Sequence, residues 1–114
     1  MSDGAKITRQ RELEAEVNHL VPRLVMLGAE LVVLHGAVAR GRAGADAKIN
    51  LLVVAASELA FRERQEHFRE RLRSGEPLAL VVFTPAEFAR ARDESVFVRH
   101  ALAKGRVVYS PERG

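Results

Sequence analysis

A chain of 114 residues that is 47% hydrophobic and 29% charged has the balance of one soluble globular domain with a single modest core, which excludes a disordered segment. It contains no cysteine, which excludes a disulfide framework and a thiolate metal centre. No apolar run approaches the ~18 residues of a membrane span, and Met1–Gly4 does not resemble a signal peptide, so the expected compartment is the cytoplasm.

The net charge of +3 raises nucleic acid as a partner, and the distribution of charge argues against it. Arg62, Arg64, Arg69, Arg71 and Arg73 alternate with Glu63, Glu66 and Glu70, the pattern of a solvated helix face laced with ion pairs. Aromatic residues are 5% of the chain and tryptophan is absent, so base-stacking platforms are scarce.

In chain order, Ile7 to about Leu27 reads as a helix, because Leu13, Val17, Leu20, Leu24 and Leu27 recur at three- and four-residue steps. Pro22 is expected to kink it or to start a new turn capped by Asn18, and Gly28 to end it. Leu31–Leu34 is a short apolar run that reads as a buried strand. Gly36 to Gly44 holds three glycines and reads as a loop with one helical turn from Val38. Ile49–Ala55 is the second strand. Ser57 is expected to cap a helix running to about Arg73, with Phe61, Phe68 and Leu72 on its buried side.

Ser74–Pro77 reads as a turn and Leu78–Phe83 as the third strand. Thr84 and Pro85 open the next helix as cap and first residue. Phe97 to Lys104 is a further helix closed by Gly105, and Arg106–Tyr109 a short strand or extended tail. Residues 1–5 and 110–114 are expected to fray. The linker between the first two strands holds no full helix and would suit antiparallel neighbours joined by a long functional loop. The predicted fold is α/β (α+β): a single domain over residues 1–114 with a small mixed sheet of three to four strands and helices packed mainly on one face.

The loop carries the chemistry. It contains Gly36-Ala37-Val38-Ala39-Arg40-Gly41, then Ala47-Lys48-Ile49-Asn50, then Leu51-Leu52-Val53-Val54. Later come Leu78–Phe83 with Thr84-Pro85-Ala86-Glu87-Phe88, and a tail of Arg99-His100-Ala101-Leu102 through Gly105–Tyr109. This order resembles the minimal nucleotidyltransferases of the DNA-polymerase-β-like superfamily. Their pattern is an apolar strand, Gly-Ser-x-Ala-Arg-Gly, a spacer, Ser-Asp-x-Asp and a second apolar strand. The resemblance covers most of the chain from Leu31 onward.

It implies a nucleotidyltransferase-like fold and a reaction in which two divalent ions bridge the nucleotide phosphates and the attacking hydroxyl. Hard cations want carboxylate oxygens, and two of them stabilise both the attacking and the leaving oxygen. Residues two apart in a strand share a face, which is why an Asp-x-Asp pair with a third Asp on the next strand suits them. At those positions this chain has Lys48, Asn50 and Ala79, and Ala37 replaces the motif serine. Its three aspartates, Asp3, Asp46 and Asp93, form no such pair. Asp46 is a weak metal candidate, sharing a face with Lys48 and Asn50 if the strand extends back to it.

No catalytic residue is therefore assigned, and metal-dependent transfer is expected to be lost. Gly36, Ala37, Arg40, Gly41, Arg42 and Lys48 are candidates for holding phosphate without a metal. Lys48 also reads as a neutral change at an exposed strand start, and Arg40 as a tether for the loop. His35 suits a general base by type, but with no nucleophile or acid near it in sequence a packed histidine is favoured. His19, His67 and His100 fall on separate helices, and Glu87 on a first helical turn, where it complements the dipole.

Two function classes follow. In the first the chain is a non-catalytic interaction module without a cofactor, antitoxin-like or scaffolding. Its partner would be a small all-helical HEPN-like protein of the kind encoded beside members of the resembled family, or a second copy in a homo-oligomer. In the second it binds ATP or another nucleotide, or is a weakly active nucleotidyltransferase that needs Mg²⁺ only for residual activity.

Overall fold

The computed structural model describes residues 2–112; Met1, Arg113 and Gly114, part of the expected frayed ends, lie outside the described residues. The elements are α1 (Ser2–Met26), β1 (Ala29–His35), β2 (Ile49–Ala55), α2 (Phe61–Leu72), β3 (Leu78–Phe83), α3 (Pro85–Glu94), α4 (Val96–Lys104) and β4 (Arg106–Tyr109). The sheet order is β3-β2-β1-β4. β1 runs antiparallel to both β2 and β4, and β2 parallel to β3. The long loop after His35 thus joins antiparallel neighbours, and α2 forms the crossover that a parallel pair requires.

The mixed α+β class holds, but the helices divide between both faces of the sheet instead of gathering mainly on one. The central strands are apolar at successive positions, so each face presents its own set of side chains that must be covered. On one face Val32, Leu34, Leu51 and Val53 meet Leu13, Val17, Leu20 and Leu24 of α1 and Phe68 and Leu72 of α2. On the other, Val33, Leu52 and Val54 meet Val98 and Ala101 of α4, with Phe88 of α3 against them. A continuous apolar run, without polar alternation, is the sequence sign of such a strand.

The first helix begins at Ser2, ahead of the expected Ile7, and runs through Pro22 without interruption. Asn18 and Pro22 are both exposed, so the carbonyl that Pro22 leaves without a donor faces water, and Asn18 caps nothing. Gly28 ends the turn after the helix at φ +98°, a left-handed conformation suited to glycine.

Two expectations for α2 need correction. The helix starts at Phe61 behind Ala60, and the Ser57 hydroxyl accepts from Leu59 N (3.1 Å) in a local turn instead of capping the helix. Phe61 is 46% exposed, with its ring tilted against Phe83 at 6.2 Å. Arg64, expected on the solvated face, is 2% exposed. Its Nη1 donates to Glu87 Oε1 (2.6 Å) and Val82 O (2.9 Å), and its Nη2 to Glu87 Oε2 (3.2 Å) and Leu59 O (3.1 Å). A carboxylate and two carbonyls thus satisfy both Nη groups, which lets the guanidinium be buried, while its Nε is buried without a hydrogen-bond partner among the described residues. Glu87 also closes a capping box with Thr84, and Pro85 occupies the first turn as expected.

Gln65, one residue along α2, lies against the outer edge of β3. Its amide donates to Val82 O (2.8 Å) and accepts from Val82 N (2.7 Å), while Arg69 donates to Leu78 O (2.8 Å).

Gly105 turns the chain from α4 into β4. A Cβ there would lie 2.4 Å from Ala101 O and 2.7 Å from Leu34 O, both backbone atoms that cannot swing aside. Gly105→Ala is accordingly expected to lose about 3 kcal/mol of stability through overpacking, read as a lower urea midpoint at unchanged slope.

Candidate functional site

The site is a row across three strands. In the antiparallel pair His35 lies opposite Asn50, and in the parallel pair Asn50 lies opposite Ala79. Asn50 sits between Ile49 and Leu51, which both point into the α1–α2 layer, so its side chain belongs to the α3–α4 face. The register therefore puts Ala79 directly beside Asn50. Lys48 precedes the strand, is exposed, and its carbonyl accepts from Asn50 Nδ2 (3.4 Å).

Gly36 follows His35 at φ +80° and closes the row from above. A Cβ at Gly36 would stand 2.6 Å from Asn50 Nδ2, a side-chain end that can turn away, so it is the left-handed backbone that calls for glycine there. The loop then makes a hydrogen-bonded turn over residues 37–41, closed from Gly36 and Ala37, and not the turn of helix expected from Val38. Arg40 N reaches Gly36 O (3.3 Å) and Ala37 O (3.1 Å), Gly41 N reaches Val38 O (3.1 Å), and Arg42 N reaches Ala37 O (2.9 Å). Val38 and Ala43 are buried and anchor it to the core.

Two residues of α1 that the sequence did not single out hold this loop. Gln10 Nε2 donates to Val38 O (2.8 Å) and Gln10 Oε1 accepts from Ala43 N (3.0 Å), a two-point clamp across the turn. Arg9 reaches Ala47 O (3.4 Å) and pairs with Glu76 (2.7 Å). Both lie one turn before Leu13 on the stripe that faces the core, and polar side chains in line with a buried stripe were the available signal.

Arg40, Arg42 and Lys48 are exposed and make no side-chain hydrogen bond or ion pair with another described residue. They do not converge. Lys48 belongs with Asn50, whereas Gly41 and Arg42 line a cleft against α1. Asp46 is exposed in a turn ahead of β2, which begins at Ile49, so the strand does not extend back to it. His35 packs edge-on against Phe97, with ring centroids 5.4 Å apart and planes at 81°. Burial first, and the neighbouring His100 second, hold its pKa below the ordinary histidine value, so it is neutral at pH 7. This is the packed histidine.

Chemically the row offers an imidazole, a carboxamide and a methyl group, with an ammonium beside them. Among the described residues no group of three or more His, Asp or Glu side chains could hold a metal ion. Two Mg²⁺ ions require a shared set of anionic oxygens, and the single neutral carbonyl of Asn50 does not fit them. The same groups can accept a phosphate or donate hydrogen bonds to a partner.

A four-stranded mixed sheet with this strand order, a glycine-bounded turn between its central antiparallel strands and helices on both faces is a nucleotidyltransferase-like fold. The chain is similar over 96% of its length to the crystal structure of a candidate nucleotidyltransferase from Sulfolobus solfataricus, covering 91% of that chain with a TM-score of 0.69 at 18% sequence identity. That likeness shows the fold. No protein-family model matches the sequence, and no curated protein does. Among the described residues no helix is long and apolar enough to cross a membrane.

Proposed function

We propose that this is a nucleotidyltransferase-fold protein that works by binding, without metal-dependent nucleotidyl transfer. The observation that supports the reading is that Asn50 and Ala79 lie side by side across β2 and β3 with Lys48 just before them, so the three positions suited to metal-binding carboxylates hold an ammonium, an amide and a methyl group. Removing one charge-stabilising group from an active site costs ~10²–10³ in rate, and here the whole set is replaced. The function that remains is that of an interaction module, antitoxin-like or scaffolding. Its proposed partner is a small all-helical HEPN-type protein, on the strength of the resemblance of the loop and its flanking strands, with self-association as the other form of the same role.

A second reading is favoured by one observation, the exposed and unpaired Lys48 beside Asn50. An ammonium in place of a metal ligand supplies positive charge directly, so a nucleotide phosphate can be held with no ion. Isothermal titration with ATP and with GTP, in Mg²⁺ and then in EDTA, separates the readings. The interaction module gives no heat in either buffer. Binding of equal strength in both supports the phosphate clamp, and Lys48→Ala then removes it. Binding that requires Mg²⁺ overturns both.

A further inference from the structure

We propose that the cleft between α1 and the turn at residues 37–43 is a binding site for a small organic monoanion of the carboxylate class. This site is separate from the row on β1–β3, which lies on the opposite face of the sheet, and it does not depend on how that row is read.

The cleft is a cavity of about 410 Å³ lined by Ile7, Gln10, Arg11, Glu14, Gly41 and Arg42. That volume lies in the range of ~300–1,000 Å³ that small-molecule sites occupy. Four of the six residues recur at steps of three and four along α1 and so form one wall. The facing wall is backbone: Gly41 stands at φ +70°, with nothing within 4 Å of where its Cβ would be. The space is therefore open at the loop, and any larger residue would narrow it while straining the turn.

The charges of the lining select the ligand. Arg11 and Arg42, one from each wall, are exposed and make no side-chain hydrogen bond or ion pair with another described residue. Glu14 is already engaged, accepting from Gln10 Nε2 (2.8 Å) and standing 3.7 Å from Arg106 Nη2. Gln10 is engaged at both ends of its amide by Val38 O and Ala43 N. The polar groups left for a ligand are thus the two guanidiniums, whose planar forks suit a carboxylate. Among the lining residues Arg11, Arg42 and Glu14 sum to a single positive charge, which a monoanion neutralises, while Arg106 stands outside the lining at 3.7 Å from Glu14. A polyphosphate would meet Glu14 on the same wall. The apolar part of the ligand has Ile7, 54% exposed at the cleft, to cover.

The test is a titration of the ¹⁵N-labelled chain followed by amide NMR, with isocaproate as the probe, its neutral amide as the uncharged match, and ATP as the polyanion. Isocaproate is expected to shift Gly41, Arg42 and the Gln10 side-chain amide saturably. The neutral amide and ATP are expected to leave these resonances in place. Arg11→Ala and Arg42→Ala, both at exposed positions, should each weaken isocaproate about tenfold through loss of a charge-assisted hydrogen bond. Arg99→Ala, on α4, should not change it. The proposal is overturned if no shift occurs at about 10 mM isocaproate, where a complex of Kd 1 mM would be about nine-tenths formed. It is equally overturned if the neutral amide shifts the same resonances, or if neither arginine variant weakens binding. Shifts confined to Lys48 and Asn50 would place the ligand at the other site and also overturn it.

Discussion

Arg64→Ala is expected to cost about 4 kcal/mol of stability, the loss typical of breaking a buried ion pair by removing one partner. Arg64 is where α2, β3 and α3 meet: one guanidinium satisfies the Glu87 carboxylate, Val82 O and Leu59 O. Its side chain is 3% exposed and that of Glu87 31%, so truncation strands an anion beside two carbonyls. Urea unfolding followed by circular dichroism would measure the change. A double variant, Arg64→Met with Glu87→Gln, is expected to regain part of it, because the stranded charge goes and glutamine can still close the capping box with Thr84.

The same pair sets an acid limit. Hydrogen bonds from Arg64, more than the bond from Thr84 N and the charge of Arg64, hold the Glu87 carboxyl below its ordinary value against the opposing effect of burial. A group with a depressed folded pKa contributes stability above its unfolded value, near ~4.3 for glutamate. That contribution fades as the pH falls through the unfolded value toward the folded one. Arg64→Ala is expected to flatten this acid limb as well as lower the whole curve. A variant with an unchanged limb would assign the acid sensitivity to other carboxylates.

Lys48→Asp, Asn50→Asp and Ala79→Asp made together are expected to create a divalent-ion site where the native chain has none. The register supplies the reason: Asn50 and Ala79 are direct partners across β2 and β3, and residue 48 lies two before residue 50. Three carboxylates so placed repel one another by roughly 0.2–1 kcal/mol per adjacent pair, so the variant should be less stable in EDTA than the native chain. A metal ion reverses that penalty, and binding of Mn²⁺ with Kd near ~1 mM, about −4 kcal/mol, is the expected scale. Mn²⁺ titration by electron paramagnetic resonance reads this directly. Asn50→Asp alone should bind far less. Failure of the triple variant would mean that the row, whatever its register, does not have the geometry of a metal site.

Much of the fold was legible because the strands announce themselves. Ile49–Ala55, Leu78–Phe83 and Arg106–Tyr109 are runs dominated by apolar and β-branched residues, broken only by Asn50 and Arg106, and they are strands over those same residues. Thr84-Pro85 with Glu87 marked its helix because a capping box is a local pattern. What was hidden depends on partners distant in sequence. Arg64 reads like its neighbours Arg62 and Arg69 until Glu87, 23 residues on, is brought beside it. Gln10 is an unremarked polar residue until the loop 28 residues later folds back on it. For the site, the pairing of Asn50 with Ala79 followed from two aligned strands. That Arg42 and Lys48 serve different surfaces did not, because a glycine-rich turn has no periodicity from which to read its path.

The amide of Gln65 has a wider consequence. An open sheet edge is a template onto which another chain can add a strand, whether in recognition or in aggregation. On β3 that template is taken up from within: the side-chain amide copies the donor and acceptor of a neighbouring strand at Val82, and Arg69 takes the carbonyl of Leu78. Leu80 is left between two occupied positions, too short an interval to seed pairing. The helix therefore acts as a terminator, because a strand added along this edge would have to displace the Gln65 and Arg69 side chains first.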